Sequence, residues 1–102
     1  MDREWFSSQI DKTFDVDPGD GGSSVPLTLV EVTEGQTGTR FRRFSVLFHG
    51  PADRALGQGT YTFGHATLDS FAIFIVPVVG SNAERILYEA CFSQPVESPA
   101  RP

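Results

Sequence analysis

The chain of 102 residues is long enough for one domain, and its 39% hydrophobic content, with nine Phe, is too high for a disordered protein. The formal net charge of −5 argues against binding of nucleic acid or of an anionic membrane by the surface as a whole. The only cysteine, Cys91, excludes an internal disulfide bond, which suits a reducing compartment.

The N-terminal residues include no apolar run of the length found in signal peptides. The longest apolar stretch, residues 71–79, is about half as long as a membrane-spanning helix needs to be. Both features predict a soluble protein that is made in the cytoplasm. They leave open export by a route without a cleaved signal, or transport as part of a particle.

The first half of the sequence predicts a helical turn and three strands. Phe6 and Ile10 have the spacing of one helical turn, and strands are expected around 13–16, over 25–32 and over 44–49. The apolar positions of the second strand change phase near Leu29 and Val30, which indicates either a β-bulge or burial on both sides. Residues 34–38 predict a hairpin loop before the third strand.

The second half predicts three more strands, at 59–65, 71–79 and 86–93, with turns between them. Sequential short strands joined by turns are typical of an all-β antiparallel domain, either a sandwich or a small barrel of about six strands. We therefore expect one β domain over 1–93 with a short N-terminal helical turn. Residues 94–102 contain three Pro and no apolar pattern, and they predict a disordered tail.

The strand at 71–79 is apolar at both odd and even positions. Since side chains alternate across a strand, one face fills the core and the other needs a separate explanation. That second face contains Ala72, Phe74, Val76 and Val78. One alternative is burial within the chain, and the other is contact with a partner, which Pro77 favours because proline is typical of strand ends and edges.

Arg40 and Arg42 belong to the only basic cluster and would share one strand face. One interpretation is that they form exposed ion pairs with Glu31 or Glu34, which contribute little to stability. The other is a docking patch for a partner that carries carboxylates. With the apolar face, the candidate interaction residues are Phe74, Val76, Val78, Arg40 and Arg42.

The candidates for metal binding do not fit known ligand patterns. The Asp-rich loop at 15–22 resembles the start of a calcium loop. Counted from Asp15, however, two positions that need acidic ligands are Gly19 and Pro26, so we expect a solvated turn. His49 and His65 lie near strand ends without the ligand spacing of a metal site, and we expect His65 to pack among aromatic residues. No metal and no cofactor is predicted.

The sequence contains no signature of an enzyme. Cys91 alternates with Glu89 and Ser93, and a neighbouring carboxylate disfavours the thiolate that a catalytic cysteine needs. We expect Cys91 to be a small buried hydrophobic residue. No nucleophile–base pair, nucleophile elbow or phosphate-binding glycine loop is present, so the protein is not expected to be an enzyme.

Four segments resemble the motifs of a family of small bacterial domains of unknown function: 44–51, 58–61, 74–78 and 88–92. The corresponding family motifs are FSLLFRGP, QGTY, LFLVPV and YEAVF, in this order, and His49 replaces an Arg of the first. The resemblance extends from about Phe6 to Phe92. It implies no activity, and it implies an accessory or structural role near proteins that resemble phage tail-collar proteins.

Together these features predict a non-enzymatic structural or protein-interaction module that self-associates or docks on a larger assembly. The alternative is a domain that binds a small ligand or a glycan at a barrel mouth near Tyr61, His65 and the loop at 50–58. Neither prediction involves nucleic acid or a membrane.

Overall fold

The computed structural model describes residues 3–37, 41–65, 68–78 and 84–95, with the backbone alone for 36–37, 41–42, 68–69 and 94–95. Its elements are α1 (Arg3–Ser7), β1 (Thr13–Asp17), β2 (Val25–Thr37), β3 (Phe41–Pro51), a 3-10 turn (Ala52–Arg54), β4 (Gly59–His65), β5 (Leu68–Val78) and β6 (Arg85–Pro95). The all-β prediction and the helical turn at the N-terminus are confirmed.

The six strands form a closed antiparallel barrel in the order β1-β2-β3-β6-β5-β4. Two meanders of three strands, β1–β2–β3 and β4–β5–β6, are joined by pairing of β3 with β6 and of β1 with β4. The order β3-β6-β5-β4 is a Greek key, in which a long connection from β3 reaches β4. Of the two predicted architectures, the barrel is therefore the correct one.

The phase change in β2 arises from a bulge. The register with β3 shifts between Leu29 and Glu31, so that Leu29 and Val32 both lie on the inner side. A second shift lies between Glu34 and Thr37, and β2 continues to Thr37. The hairpin loop predicted at 34–38 is thus wrong for its first four residues, which are strand; residues 38–40 lie outside the described part.

The barrel interior is filled mainly by aromatic and aliphatic side chains from all six strands. Phe14 lies at its centre, with ring centroids 6.3 Å from Phe48, 6.2 Å from Phe63 and 5.8 Å from Phe71. Each fully buried side chain of this size stabilises the fold by about 1.5–3 kcal/mol relative to leaving it exposed. The remaining core residues of the strands are also buried: Val16, Val25, Leu27, Leu29, Phe44, Val46, Ile73, Ile75, Tyr88 and Ala90.

Among the described residues, the ring has a seam where β5 and β6 diverge. β5 pairs with β4 over Leu68–Ile75, but its described pairing with β6 is limited to Val76–Val78. Helix α1 bridges the diverging strands with two rings. The ring centroids of Trp5 and Phe71 of β5 are 5.5 Å apart, and those of Phe6 and Phe92 of β6 are 5.1 Å apart. Within the helix, the ring centroids of Trp5 and Phe6 are 4.9 Å apart. Side-chain packing therefore replaces a hydrogen-bonded ladder along the seam.

Helix α1 is shifted towards the N-terminus relative to the prediction. It ends at Ser7, and Ile10 is 40% exposed instead of packing with Phe6. At the other terminus, β6 runs to Pro95, so it includes the first two residues of the predicted tail. Residues 96–102 lie outside the described part.

The connection between β3 and β4 closes the end of the barrel opposite α1. Leu56 is buried there, and its backbone N–H donates to the Tyr88 hydroxyl at 2.9 Å. The Tyr61 hydroxyl donates to the Gly57 carbonyl at 2.9 Å. Both ends of the barrel are thus covered, one by this connection and the other by α1.

Candidate interaction surface

The two faces of β5 have opposite environments. Ile73 and Ile75 point into the barrel and are 2% and 0% exposed. Phe74, between them, points outward and is 51% exposed, and Ala72 is exposed as well. The described part of the chain therefore does not bury this face at Ala72 and Phe74, although Val76 and Val78 are half-buried.

The outward residues of β5 continue into an apolar surface on β6 and β3. The strand register places Val76 beside Glu89 and Glu89 beside Leu47, and it places Val78 beside Leu87. We call this surface the outer patch, and it consists of Leu47, Phe74, Val76, Val78, Leu87 and Glu89. Except for Phe74, its members are half-buried.

One carboxylate lies within the outer patch. Glu89 is half-buried between Val76 and Leu47, and within the described residues it has no ion-pair partner. An apolar surface with a single unpaired carboxylate is suited to a partner that offers apolar side chains and one cation.

A concave pocket of about 480 Å³ lies next to the outer patch, and we call it the pit. Three of its outward side chains are small: Ser45 and Cys91 are register partners with Oγ and Sγ 3.6 Å apart, and Ser93 follows on β6. The pit is lined by Gly35, Arg43, Phe44, Ser45, Cys91, Phe92 and Ser93. Small side chains on the outer side of three neighbouring strands leave the depression unfilled.

The structure corrects the prediction for the cysteine. Cys91 is exposed and points outward on β6, with Ser45 beside it. The inward positions on either side are Ala90 and Phe92, so the alternation of the strand places Cys91 away from the core.

The basic residues of the predicted docking patch are only partly described. Arg40 lies outside the described residues, and for Arg42 the structure describes the backbone, which pairs with Thr37 and Gln94. Arg43 is exposed at the pit, and in the described part of the chain it has no ion-pair partner.

The other sequence candidates do not converge on a reactive site. The described residues contain no group of three or more His, Cys, Asp or Glu that could hold a metal ion. Asp17 and Asp20 each accept a backbone N–H, from Gly19 at 2.9 Å and from Gly22 at 2.8 Å, so these carboxylates hold the turns of their own loop.

The predicted ligand-binding mouth is not formed as expected. Tyr61 binds the connection that closes one end of the barrel, whereas His65, at the other end of β4, packs against Phe14 with ring centroids 5.7 Å apart. The aromatic packing of His65 is confirmed. Because the two residues belong to different ends of the barrel, they do not line one cavity with the loop at 50–58.

A second pocket, of about 420 Å³, opens on the outer side of the barrel. Polar groups converge there: the hydroxyl oxygens of Thr13 and Thr28 are 2.8 Å apart, and His49, Glu84 and Arg85 line the same space. Sequence reasoning missed this pocket because its residues come from β1, β2, β3 and the start of β6. The pairing of β3 with β6, which are distant in sequence, brings them together.

In the part of the chain that the structure describes, no helix has both the length and the apolar character required to cross a membrane.

Comparison with known proteins identifies the family of this chain. No curated protein and no solved structure matched the chain. A family model does match, over residues 1–92, which include α1 and nearly all of the barrel. The chain thus belongs to the family described as Domain of unknown function (DUF6916).

Proposed function

We propose that this protein is a non-enzymatic structural or protein-interaction module that binds its partner through the outer patch. The observation that carries the proposal is the 51% exposure of Phe74 next to the half-buried apolar residues of the patch. Contiguous exposed apolar surface is typical of interaction sites, and aromatic side chains dominate the energy of many interfaces.

The sheet is well suited to present such a surface. Ile73 and Ile75 anchor β5 in the core on either side of Phe74, so buried neighbours hold the backbone from which its side chain projects. An aromatic side chain has only two χ angles to order when it binds, and a held backbone limits the further entropy cost. The patch therefore has the properties of a preorganised contact surface.

Capture of partners from the native host, read by mass spectrometry, tests this proposal with Phe74→Asp as the interface variant. Ser70→Asp is the matched control, because Ser70 is an exposed residue of the same strand outside the patch. We expect proteins bound by wild type and by Ser70→Asp to be lost with Phe74→Asp, while far-UV circular dichroism stays unchanged. Equal capture by all three proteins contradicts the proposal.

The resemblance noted above adds a candidate context, an accessory component of a phage-tail-like assembly. In this proposal the chain is made in the cytoplasm and becomes part of a particle. Purified particles should then contain the wild-type chain in a fixed ratio to the tail proteins and should lack the Phe74→Asp variant. Particles without the wild-type chain contradict this context and leave the interaction proposal to the capture experiment.

The second pocket supports one alternative function, the binding of a small polar ligand or a glycan. His49, Glu84, Arg85 and two threonine hydroxyls provide donors and acceptors on one concave surface. A thermal-shift screen with sugars and small carboxylates tests this alternative, with His49→Ala as the pocket variant and Ser70→Ala as the control. A stabilising ligand whose effect is lost only in His49→Ala supports it, and a flat response contradicts it.

A further inference from the structure

We infer that the seam between β5 and β6 binds an extended peptide segment of a partner protein, which enters as an additional strand and bonds to both strand edges. The inference rests on the proposed function and specifies the chemistry of the partner. Three observations carry it: backbone groups on both edges that lack ladder partners, edges without the usual protection against pairing, and half-buried aromatic residues beside the seam.

The direction of the backbone groups at the seam follows from hydrogen bonds elsewhere in the ring. In an antiparallel ladder, successive residues direct their N–H and C=O to opposite edges, and register partners either face each other or both face away. Leu29 bonds to the segment before β1 through its N–H, at 3.0 Å, and through its C=O, at 2.8 Å. Thr28 therefore faces β3, and the registers of β3 with β2 and β6 then direct Tyr88 towards β3 and Glu89 towards β5.

Two residues on each edge of the seam have backbone groups that face the opposite strand. Since Glu89 faces β5, alternation directs Cys91 and Ser93 towards β5 as well. On β5, Phe74 and Ala72 face β6, and the registers of β4 with β1 and β5 give the same result. The register of the three described pairs, if continued, would set Phe74 opposite Cys91 and Ala72 opposite Ser93. Neither pair belongs to the ladder in the described part of the chain.

Such an edge selects its partner by backbone chemistry. Its N–H and C=O groups repeat at every second residue, about 7 Å apart, and an extended chain repeats its own groups at the same interval. Natural sheets protect open edges with charged residues or proline. Residues 70–75 and 91–93 contain neither, so nothing in their sequence opposes the addition of a strand.

The aromatic residues beside the seam remain partly open to water. Trp5 of α1, Phe71 of β5 and Phe92 of β6 pack against the core but are only half-buried. Phe6, whose ring contacts those of Trp5 and Phe92, is in contrast fully buried. A strand that enters the seam would cover apolar area on these half-buried rings, which adds to the stabilisation from its backbone hydrogen bonds.

The side chains on the outer border of the seam leave it accessible. Ala72 on β5 and Cys91 and Ser93 on β6 are exposed, and none extends more than one heavy atom beyond Cβ. The long side chain on this border is Phe74, which is 51% exposed. Its ring is placed to contact a side chain of the peptide, so the seam and the outer patch form one continuous site.

The experiment selects binders from random peptides displayed on phage against the wild-type chain, and the selected peptides are then synthesised. Amide hydrogen exchange, read by NMR, follows the seam. In the free chain the N–H groups of Ala72 and Phe74 should exchange quickly, whereas those of Ile73 and Ile75, which face β4, should exchange slowly. A bound peptide should slow the exchange of Ala72 and Phe74.

Ala72→Pro tests the role of the backbone. It removes the N–H that faces the seam and should leave the chain folded, because proline is tolerated where an N–H has no ladder partner. Peptide binding should weaken by at least about 10-fold. Ala72→Val, which keeps the N–H, is the matched control and should bind as the wild type does. Ser93→Pro and Ser93→Val repeat the comparison on β6, and far-UV circular dichroism verifies folding.

Four results overturn the inference. They are the absence of any selected peptide, undiminished binding by the two proline variants, loss of folding in both of them, or slow exchange of Ala72 and Phe74 in the free chain, which would show that β5 and β6 pair with each other. Failure of the inference is distinguishable from failure of the proposed function. Partner capture that is lost with Phe74→Asp but kept by Ala72→Pro overturns the peptide alone, whereas capture that Phe74→Asp does not change overturns the proposed function.

Discussion

The inner and outer faces of β5 are both apolar in sequence, but only the inner one is buried in the core of the barrel. Ile73 and Ile75 are 2% and 0% exposed, and Phe74 between them is 51% exposed. Leaving half of a phenylalanine side chain in water forgoes on the order of 1 kcal/mol of stabilisation that burial would give. An apolar residue on the outer side of a closed barrel therefore calls for an explanation other than the fold.

The largest difference between the two faces is expected when a carboxylate is placed on each of them. Ile73→Asp should abolish folding, because an unpaired buried charge costs several kcal/mol out of a total stability of about 5–15 kcal/mol. Phe74→Asp should change the free energy of unfolding by less than about 1 kcal/mol in the monomer. Circular dichroism and urea unfolding measure both effects, and similar losses in the two variants would show that Phe74 belongs to the core.

The second test compares Phe6, a buried apolar residue of α1, with Ile10, an exposed one that follows the helix. Phe6→Ala should cost about 3–5 kcal/mol, because Phe6 is 0% exposed and joins the packing of Phe92 and Phe44. Ile10→Ala is the control and should cost less than about 1 kcal/mol, since Ile10 is 40% exposed. Comparable costs for the two variants in urea unfolding would contradict the role of α1 as a bridge across the seam.

A smaller effect separates two tyrosines that bind the same connection. Tyr88→Phe leaves the buried N–H of Leu56 without its acceptor, and we expect a cost of about 1–3 kcal/mol. Tyr61→Phe removes a hydrogen bond at the exposed Gly57 carbonyl, which water can replace, and it should cost less than about 1 kcal/mol. The comparison fails if thermal unfolding ranks the two variants in the opposite order.

The smallest effect is expected on the outer side of β3. Ser45→Ala removes the 3.6 Å contact with Cys91, and its effect on the free energy of unfolding should stay within about 0.5 kcal/mol because both residues are on the surface. A cost above about 1 kcal/mol, a size typical of a buried hydrogen bond, would show that the contact stabilises the monomer. Urea unfolding at low protein concentration provides the measurement.

The strands could be predicted from the sequence because alternation is a local signal. The alternating residues of 59–65 predicted β4 with its observed bounds, and the phase change at Leu29 and Val30 indicated the bulge that the structure contains. The hairpin loop at 34–38 was predicted from its glycines, but Gly35 lies within β2. Pairing with β3 extends the strand beyond the point at which local turn preference would end it.

Closure of the barrel and the shape of the candidate surface could not be predicted, because they depend on pairing between distant strands. The choice of barrel over sandwich follows from the pairing of β1 with β4. The pit combines Gly35, Ser45 and Ser93, which carry no signal of their own in the sequence. Cys91 was misjudged because free cysteines are usually buried, although its alternation with Glu89 and Ser93 pointed outward.

The pairing of β3 with β6 has a consequence for synthesis of the chain. One edge of β3 pairs with β6, which is synthesised last of the six strands. The meander β1–β2–β3 therefore emerges from the ribosome with its apolar inner surface uncovered. Nascent chains in such a state are prone to aggregation and are typical clients of chaperones. Nascent chains that have emerged without β6 should therefore be cleaved readily by proteases, and chains from which β6 has fully emerged should be resistant.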